Sequence, residues 1–301
     1  MNSYSFMAIA KGKESKDGAD FKRYIGIAPC FIQGVNPDKL TLEKVYDREL
    51  EEEPKYVGEI DVDGEKVKNI RITFLAKPDP KVVGMDIAPI SVSLFVQNRY
   101  RYNKDKTKVQ VIDKYGRTAW VTIEEAKNNE IPVYSNGPAK IDKDYRPAFV
   151  GEEELTKFIK AYLGIPDVMR YNENEKKYYL VDNPEESECR LENIVQYFKG
   201  DVKEISDAVA YQPTNKVRIL FGVRTGNEGR QYQAVYTQMF LKNGNTNYSK
   251  IDKDLQERKA AGAYSTTEFE VGEFKEYNVE STTFESAAPS ANPFDAPSLP
   301  F

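Results

Sequence analysis

A chain of 301 residues, 40% hydrophobic and 30% charged, has the composition of an ordinary globular protein, long enough for one decorated domain or two small ones. Histidine is absent and the cysteines are Cys30 and Cys189 alone, which removes the usual zinc ligand sets and histidine-based acid–base catalysis and suits free thiols in a reducing compartment. Net charge is −5, but from Glu268 onward seven acids face Lys275 alone, leaving 42 bases and 41 acids before them, so a near-neutral body carries an acidic tail.

Residues 1–20 are small and charged and read as a flexible arm; their start lacks the apolar core of a signal peptide, and no apolar run approaches the ~20 residues of a membrane helix. A decorated domain over 21–278 begins with a strand near 21–33. DRELEEEP (47–54) is an acidic loop and Asp61–Gly64 a hairpin turn without the further ligands of a calcium loop. Period-2 alternation predicts strands near 67–76, 87–102, 108–113 and 117–122. Helices follow within an insertion over about 123–210: a capping box at Thr122 and Glu125, and an amphipathic stretch from Gly151 to Gly164 carrying Leu155, Phe158, Ile159, Tyr162 and Leu163. Further helical patterns lie near 190–199 and 201–210. A long hairpin of KVRILFGVRT and RQYQAVYTQMFLK turns around Gly226–Gly229, and a helix near 250–261 precedes a final short strand. Residues 279–301, rich in Pro and Ser and poor in large apolar groups, form a disordered acidic tail.

The strand ISVSLFVQNRYRY places Val92, Leu94 and Val96 on one face and Phe95, Arg99 and Arg101 on the other, unless a bulge intervenes. In the strand near 117–122, Ala119, Val121 and Ile123 alternate as the buried side, which puts Trp120, the one tryptophan, on the polar side with Thr118 and Thr122. From Asn98 to Trp120 seven basic residues, among them Lys108, Lys114 and Arg117, outnumber two acids, with Tyr100, Tyr102, Tyr115 and Trp120 interleaved. Cations suit phosphates and flat rings suit unpaired bases, each stack contributing about 1–3 kcal/mol without reading sequence. Tyr100 and Tyr102 equally fit a reading in which they continue the Val92 stripe as core. The later hairpin turns Arg218, Leu220 and Arg224 away from Val217, Ile219, Phe221 and Val223, so its basic side is expected outward. Arg230, Tyr232 and Tyr236 alternate similarly, but Gln231, Gln233 and Val235 do not settle which face is buried, and the tyrosines fit core packing at least as well.

Enzyme signatures are scarce, and no enzymatic activity or cofactor is expected: there is no phosphate loop with Lys-Ser/Thr and no Gly-x-Ser-x-Gly elbow. Pro166-Asp167 with Glu175-Lys176-Lys177 faintly matches the carboxylate and lysine set of Mg²⁺-dependent nucleases, but RYNENEKKYYLV reads more simply as a turn between strands.

The tail combines acids that can compete with DNA for a basic groove and a tip, Phe294, Asp295, Leu299, Pro300 and Phe301, that can dock a ring and a carboxylate on another protein. Ser298-Leu299-Pro300-Phe301 resembles the tip of bacterial single-stranded DNA-binding proteins, although only Asp295 stands close by as an acid. Across most of its length, on DKYGRTAWV, YRPAFVGEEELTKFIKAYLGIP and KAAGAY, the chain is similar to single-stranded DNA-binding proteins of tailed, crAss-like bacteriophages. That resemblance implies an OB-fold barrel with helical insertions, hence an α+β class. It also implies a role in replication, recombination or repair in the cytoplasm of the bacterial host, with replication or recombination proteins as partners. The rival expectation is a phage structural or virion cargo protein.

Overall fold

The computed structural model describes residues 23–113, 116, 118–128, 145–165, 169–172, 177–180, 194–210, 214–226, 229, 231–244 and 248–277, with backbone only for 169–172 and 177–180. The expected arm, the acidic tail, the Asp167/Glu175 set and Cys189 fall outside the described residues or side chains. The class is α+β, with mostly antiparallel strands in a curled, half-barrel sheet.

Nine strands among the described residues form the main sheet. Its path runs β12 (Gln231–Lys242), β11 (Val217–Thr225), β1 (Arg23–Val35), β3 (Glu65–Pro78), β4 (Ile90–Tyr100), β8 (Phe149–Val150). β2 (Val57–Val62) pairs with β3, β13 (Thr267–Phe269) with β11 and β14 (Lys275–Tyr277) with β1. The Asp61–Gly64 turn is present: Asp63 (φ 55°) and Gly64 (φ 84°) both take the left-handed conformation of a two-residue hairpin loop, and the Gly64 amide donates to Asp61 Oδ1 at 3.0 Å.

The strand alternation is carried into packing. Val92, Leu94 and Val96 of β4 join Ile70, Ile72 and Phe74 of β3 and Val217, Ile219 and Phe221 of β11 in the principal core. This face is closed by α4 (Glu152–Leu163), whose Leu155, Phe158, Ile159 and Tyr162 recur at helical spacing. Phe158 lies between Phe74 (ring centroids 4.0 Å) and Phe240 of β12 (4.8 Å), tying the helix to both flanks of the curl. Helix α6 (Lys203–Ala210) adds Ile205 and Val209 to the same core.

A second core lies on the opposite face of β1, β11 and β12. Ile251 and Leu255 of α7 (Ser249–Ala260) cover Ile27, Leu220 and Tyr236 there, together with Phe269 of β13. This corrects in part the expectation that the basic side of the late hairpin faces outward: Leu220 is sealed beneath α7 and Arg218 is part-buried against Tyr248 at the start of that helix, while Arg224 is exposed.

A smaller sheet, β6 (Thr118–Thr122), β5 (Lys108–Asp113), β7 (Tyr145–Pro147), is joined to the main one at a three-way junction. There the Arg101 amide donates to Ala148 O (3.0 Å), the Ala148 amide to Gln110 O (2.8 Å), and the Gln110 amide to Arg101 O (2.8 Å). Val109, Val111, Ala119, Val121 and Tyr145 make a core of its own, with Ala126 of α3 (Ile123–Lys127) against it. The capping box at Thr122 and Glu125 is formed, and it corrects one detail: the strand stops at Thr122, so Ile123 begins a helix and is 40% exposed instead of continuing the buried stripe. RYNENEKKYYLV (170–181), read as a turn between strands, takes in most of β9 (Met169–Asn172) and all of β10 (Lys177–Leu180), which pair antiparallel. Sequence periodicity had no signal for α1 (Lys39–Tyr46), β2, β7 or β8, all short elements. No described helix is long and apolar enough to cross a membrane.

Candidate nucleic-acid interface

On β4 the residues between the core positions point away from the principal core. Phe95 is 44% exposed and sits opposite Arg71 of β3, and Gln97 sits opposite Asn69. Arg99 lies in a register irregularity between Gln97 and Tyr100 and donates from Nε to Gln97 Oε1 at 2.6 Å. Two residues further, Arg101 reaches the small sheet, where Gln110 and Trp120 are direct cross-strand partners on β5 and β6. Arg101 Nη1 donates to Gln110 Oε1 at 3.3 Å, and its guanidinium carbon lies 5.9 Å from the centroid of the Trp120 ring. Trp120 is 37% exposed, flanked by Thr118 and Thr122 as the alternation requires. Lys108, exposed at the start of β5, shares the strand face of Gln110 and Trp120.

The electrostatics of this row are set by the first turn of α4. Glu153 accepts from Arg101 Nη1 at 3.0 Å, from Gln110 Nε2 at 2.8 Å and from Lys157 at 2.5 Å, while Glu154 lies 3.8 Å from Arg101. Burial pushes the Glu153 carboxyl up, but Lys157, Gln110 and Arg101 more than offset this and hold it below the ordinary glutamate range. Arg101 is therefore a paired brace that orients the indole, and it offers a phosphate less charge than its sequence context implies. Beside it, Arg146 makes a two-pronged pair with Glu152 and its guanidinium carbon lies 5.9 Å from the Phe149 ring centroid.

Tyr100 and Tyr102 continue the parity of the Val92 stripe, yet the stripe has left the core by then. Both are exposed, Tyr100 stacked on Phe149 (5.2 Å) and Tyr102 bridged to Val109. Neither ring is therefore part of a buried core.

The later hairpin does not join this cluster as a unit. Tyr236 is 1% exposed within the second core, beside Tyr264 and Phe269, and cannot stack on a base; this corrects its assignment. Arg218 is part-buried against Tyr248. Arg224 and Tyr232, cross-strand partners near the hairpin end, are exposed and half-buried respectively. Lys114, Tyr115, Arg117 and Arg230 lie outside the described residues, as do Phe294, Asp295, Leu299, Pro300 and Phe301.

Sequence reasoning missed a set that the fold gathers around Phe95. Arg71 stands 5.2 Å over the Tyr56 ring, Arg48 stands 5.4 Å over Tyr46, and the Tyr46 hydroxyl bonds Ser91 at the start of the same β4 face. Burial pushes the Tyr56 hydroxyl up to about 12, with Arg71 opposing, so this phenol stays protonated and donates to Pro37 O at 2.6 Å. The period-2 pattern of β3 could have flagged Arg71 as an outward cation; nothing local links Tyr46 or Tyr56 to that strand. Among the described residues no group of three acidic or thiol side chains is placed to hold a metal ion. No protein-family model matches the chain, and neither a curated relative nor a solved structure matches it.

Proposed function

We propose that this chain binds single-stranded DNA without sequence preference, protecting strands exposed during phage replication, recombination or repair in the cytoplasm of the bacterial host. The observation that carries the reading is the row formed by Arg101, Gln110 and Trp120: an indole on a strand face, exposed and braced by a guanidinium, with Lys108 on the same face. A nucleobase needs such a flat apolar surface and the adjoining phosphate needs a cation, and neither need depends on which base is present. Phe95, Arg99, Tyr100, Tyr102 and Arg224 extend the supply of rings and charges, and Tyr232 is a weaker member. On this reading the curled sheet with α4 across its open side is an elaborated OB-type barrel, and the acidic tail recruits replication or recombination proteins through its Pro-Phe tip. No bond is made or broken.

The single tryptophan makes the test direct. Titration with oligo(dT) is expected to quench Trp120 emission, with affinity falling as salt rises at a slope of about 0.7 per neutralised phosphate. Absence of both quenching and salt-sensitive binding would discard the proposal in favour of an assembly or cargo role. Incubation of DNA with Mg²⁺ is expected to leave it intact; cleavage lost on Asp167→Ala would instead establish the nuclease reading.

A further inference from the structure

The geometry points to a second stacking subsite on the outer face of β3 and β4, built by Phe95 and Tyr46 with Arg71 and Arg99. It takes unpaired bases of a single strand that has already passed Trp120. The inference rests on the function proposed above and deepens it by adding Tyr46 and Arg71, which lie outside the basic segment.

Four observations converge on it. First, both rings present apolar surface to solvent, Phe95 being 44% and Tyr46 38% exposed, so each has a face free to take a base. Second, both are fixed to one strand face: Phe95 belongs to β4, and the Tyr46 hydroxyl is bonded to Ser91, four residues earlier on that side. Third, cations stand against the rings. Arg71 is the cross-strand neighbour of Phe95 and Arg48 lies over Tyr46, while Arg99, four residues and about 13 Å further along, supplies a cation for the next phosphate. Fourth, the strand leads to the first site: Arg101 directly follows β4, past a register irregularity between Gln97 and Tyr100, and its guanidinium carbon lies 5.9 Å from the Trp120 ring centroid. From Ser91 to Arg99 the strand advances about 27 Å, room for several nucleotides.

The acidic loop gives the subsite a polarity. Asp47, Glu49, Glu51, Glu52 and Glu53 lie in the connection from Tyr46 to Tyr56, and they repel phosphates from that side. A strand laid on the patch therefore turns its phosphates toward Arg71 and Arg99 and its bases toward the rings. The loop limits where the backbone can run and does not itself bind DNA.

Two lengths of oligo(dT), about 6 and about 20 nucleotides, separate this subsite from the Trp120 row, since only the longer can occupy both. With the full chain, Phe95→Ser and Tyr46→Ser are each expected to weaken binding of the longer oligomer by about tenfold. Quenching of Trp120 by the shorter one should remain, and the melting temperature of Phe95→Ser should match the parent. Because Tyr46 also bonds Ser91, Tyr46→Phe controls for folding and is expected to bind as the parent does. Glu51→Gln/Glu52→Gln/Glu53→Gln is expected to tighten the longer oligomer at low salt. Parent-like affinity of both serine variants for the longer oligomer, with Trp120 quenching intact, would overturn the subsite while leaving the proposed function standing. Failure of the parent to bind either length would remove the function itself.

Discussion

At Glu153 three partners meet, Arg101, Gln110 and Lys157, and the carboxylate is the one acceptor they share. Its carboxyl is held below the ordinary range when folded, so the unfolded chain binds the proton more readily. The stabilising contribution is complete above the unfolded glutamate value of about 4.5 and is lost as pH falls through the lower folded value. Thermal melts below about pH 4.5 should therefore show a steeper decline for the parent than for Glu153→Gln, which has no proton to take up. Parallel curves for the two would reject that role. Trp120 and Tyr236 show how far side-chain identity falls short of fixing surroundings. Trp120 shares its strand face with Thr118 and Thr122 and Tyr236 shares its own with Ala234 and Gln238, but Trp120 meets Gln110 and solvent, whereas Tyr236 meets α7 and Phe269.

At the scale of the element, α4 begins where a side chain at its first cap position has no room. Gly151 has φ 86°, and an added Cβ would come within 1.8 Å of the Phe95 carbonyl oxygen, so only glycine lets the helix start against β4. Without a capping side chain, the first turn relies on Glu152, Glu153 and Glu154, which also suit the positive end of the helix. Glu152 is the most buried of them; it receives both Arg146 nitrogens and the Phe149 amide, the latter at 3.0 Å. Glu152→Ala strands a buried amide, while Arg146, nearly half exposed, regains water. A loss of about 2 kcal/mol in denaturant unfolding is expected. A loss under about 0.5 kcal/mol would mean that the clamp contributes little.

For the molecule as a whole, the curl of the main sheet leaves one outer face open near β3 and β4, while α7 closes the same side over β1, β11 and β12. Of the residues proposed to meet DNA, Phe95 lies on the open part and Lys108 and Trp120 on the small sheet, whereas Arg224 and Tyr232 stand apart on β11 and β12; the acids from Glu280 onward belong to the tail. In the proposed function those acids compete with DNA for the same cations. Removing 280–301 should leave the melting temperature unchanged and raise oligo(dT) affinity at low salt, an effect that fades as salt screens both partners. Equal affinities at low salt would reject competition by the tail.

The amino-acid pattern by itself determined the β1, β3–β6 and β11–β12 strands, the Asp63–Gly64 hairpin, the Thr122 capping box and α4. Each depends on contacts within a few residues: an alternation of two, a spacing of three or four, a glycine at a left-handed turn. The outward placement of Phe95 and Trp120 followed from the same rule. Only the tertiary structure decided that α7 covers the Arg218 face, that Glu153 claims Arg101, and that Tyr46, Tyr56 and Arg71 gather beside Phe95. Alternation tells a strand which side chains share a face, but whether a face is wet depends on what distant segment packs against it, and no local period encodes that.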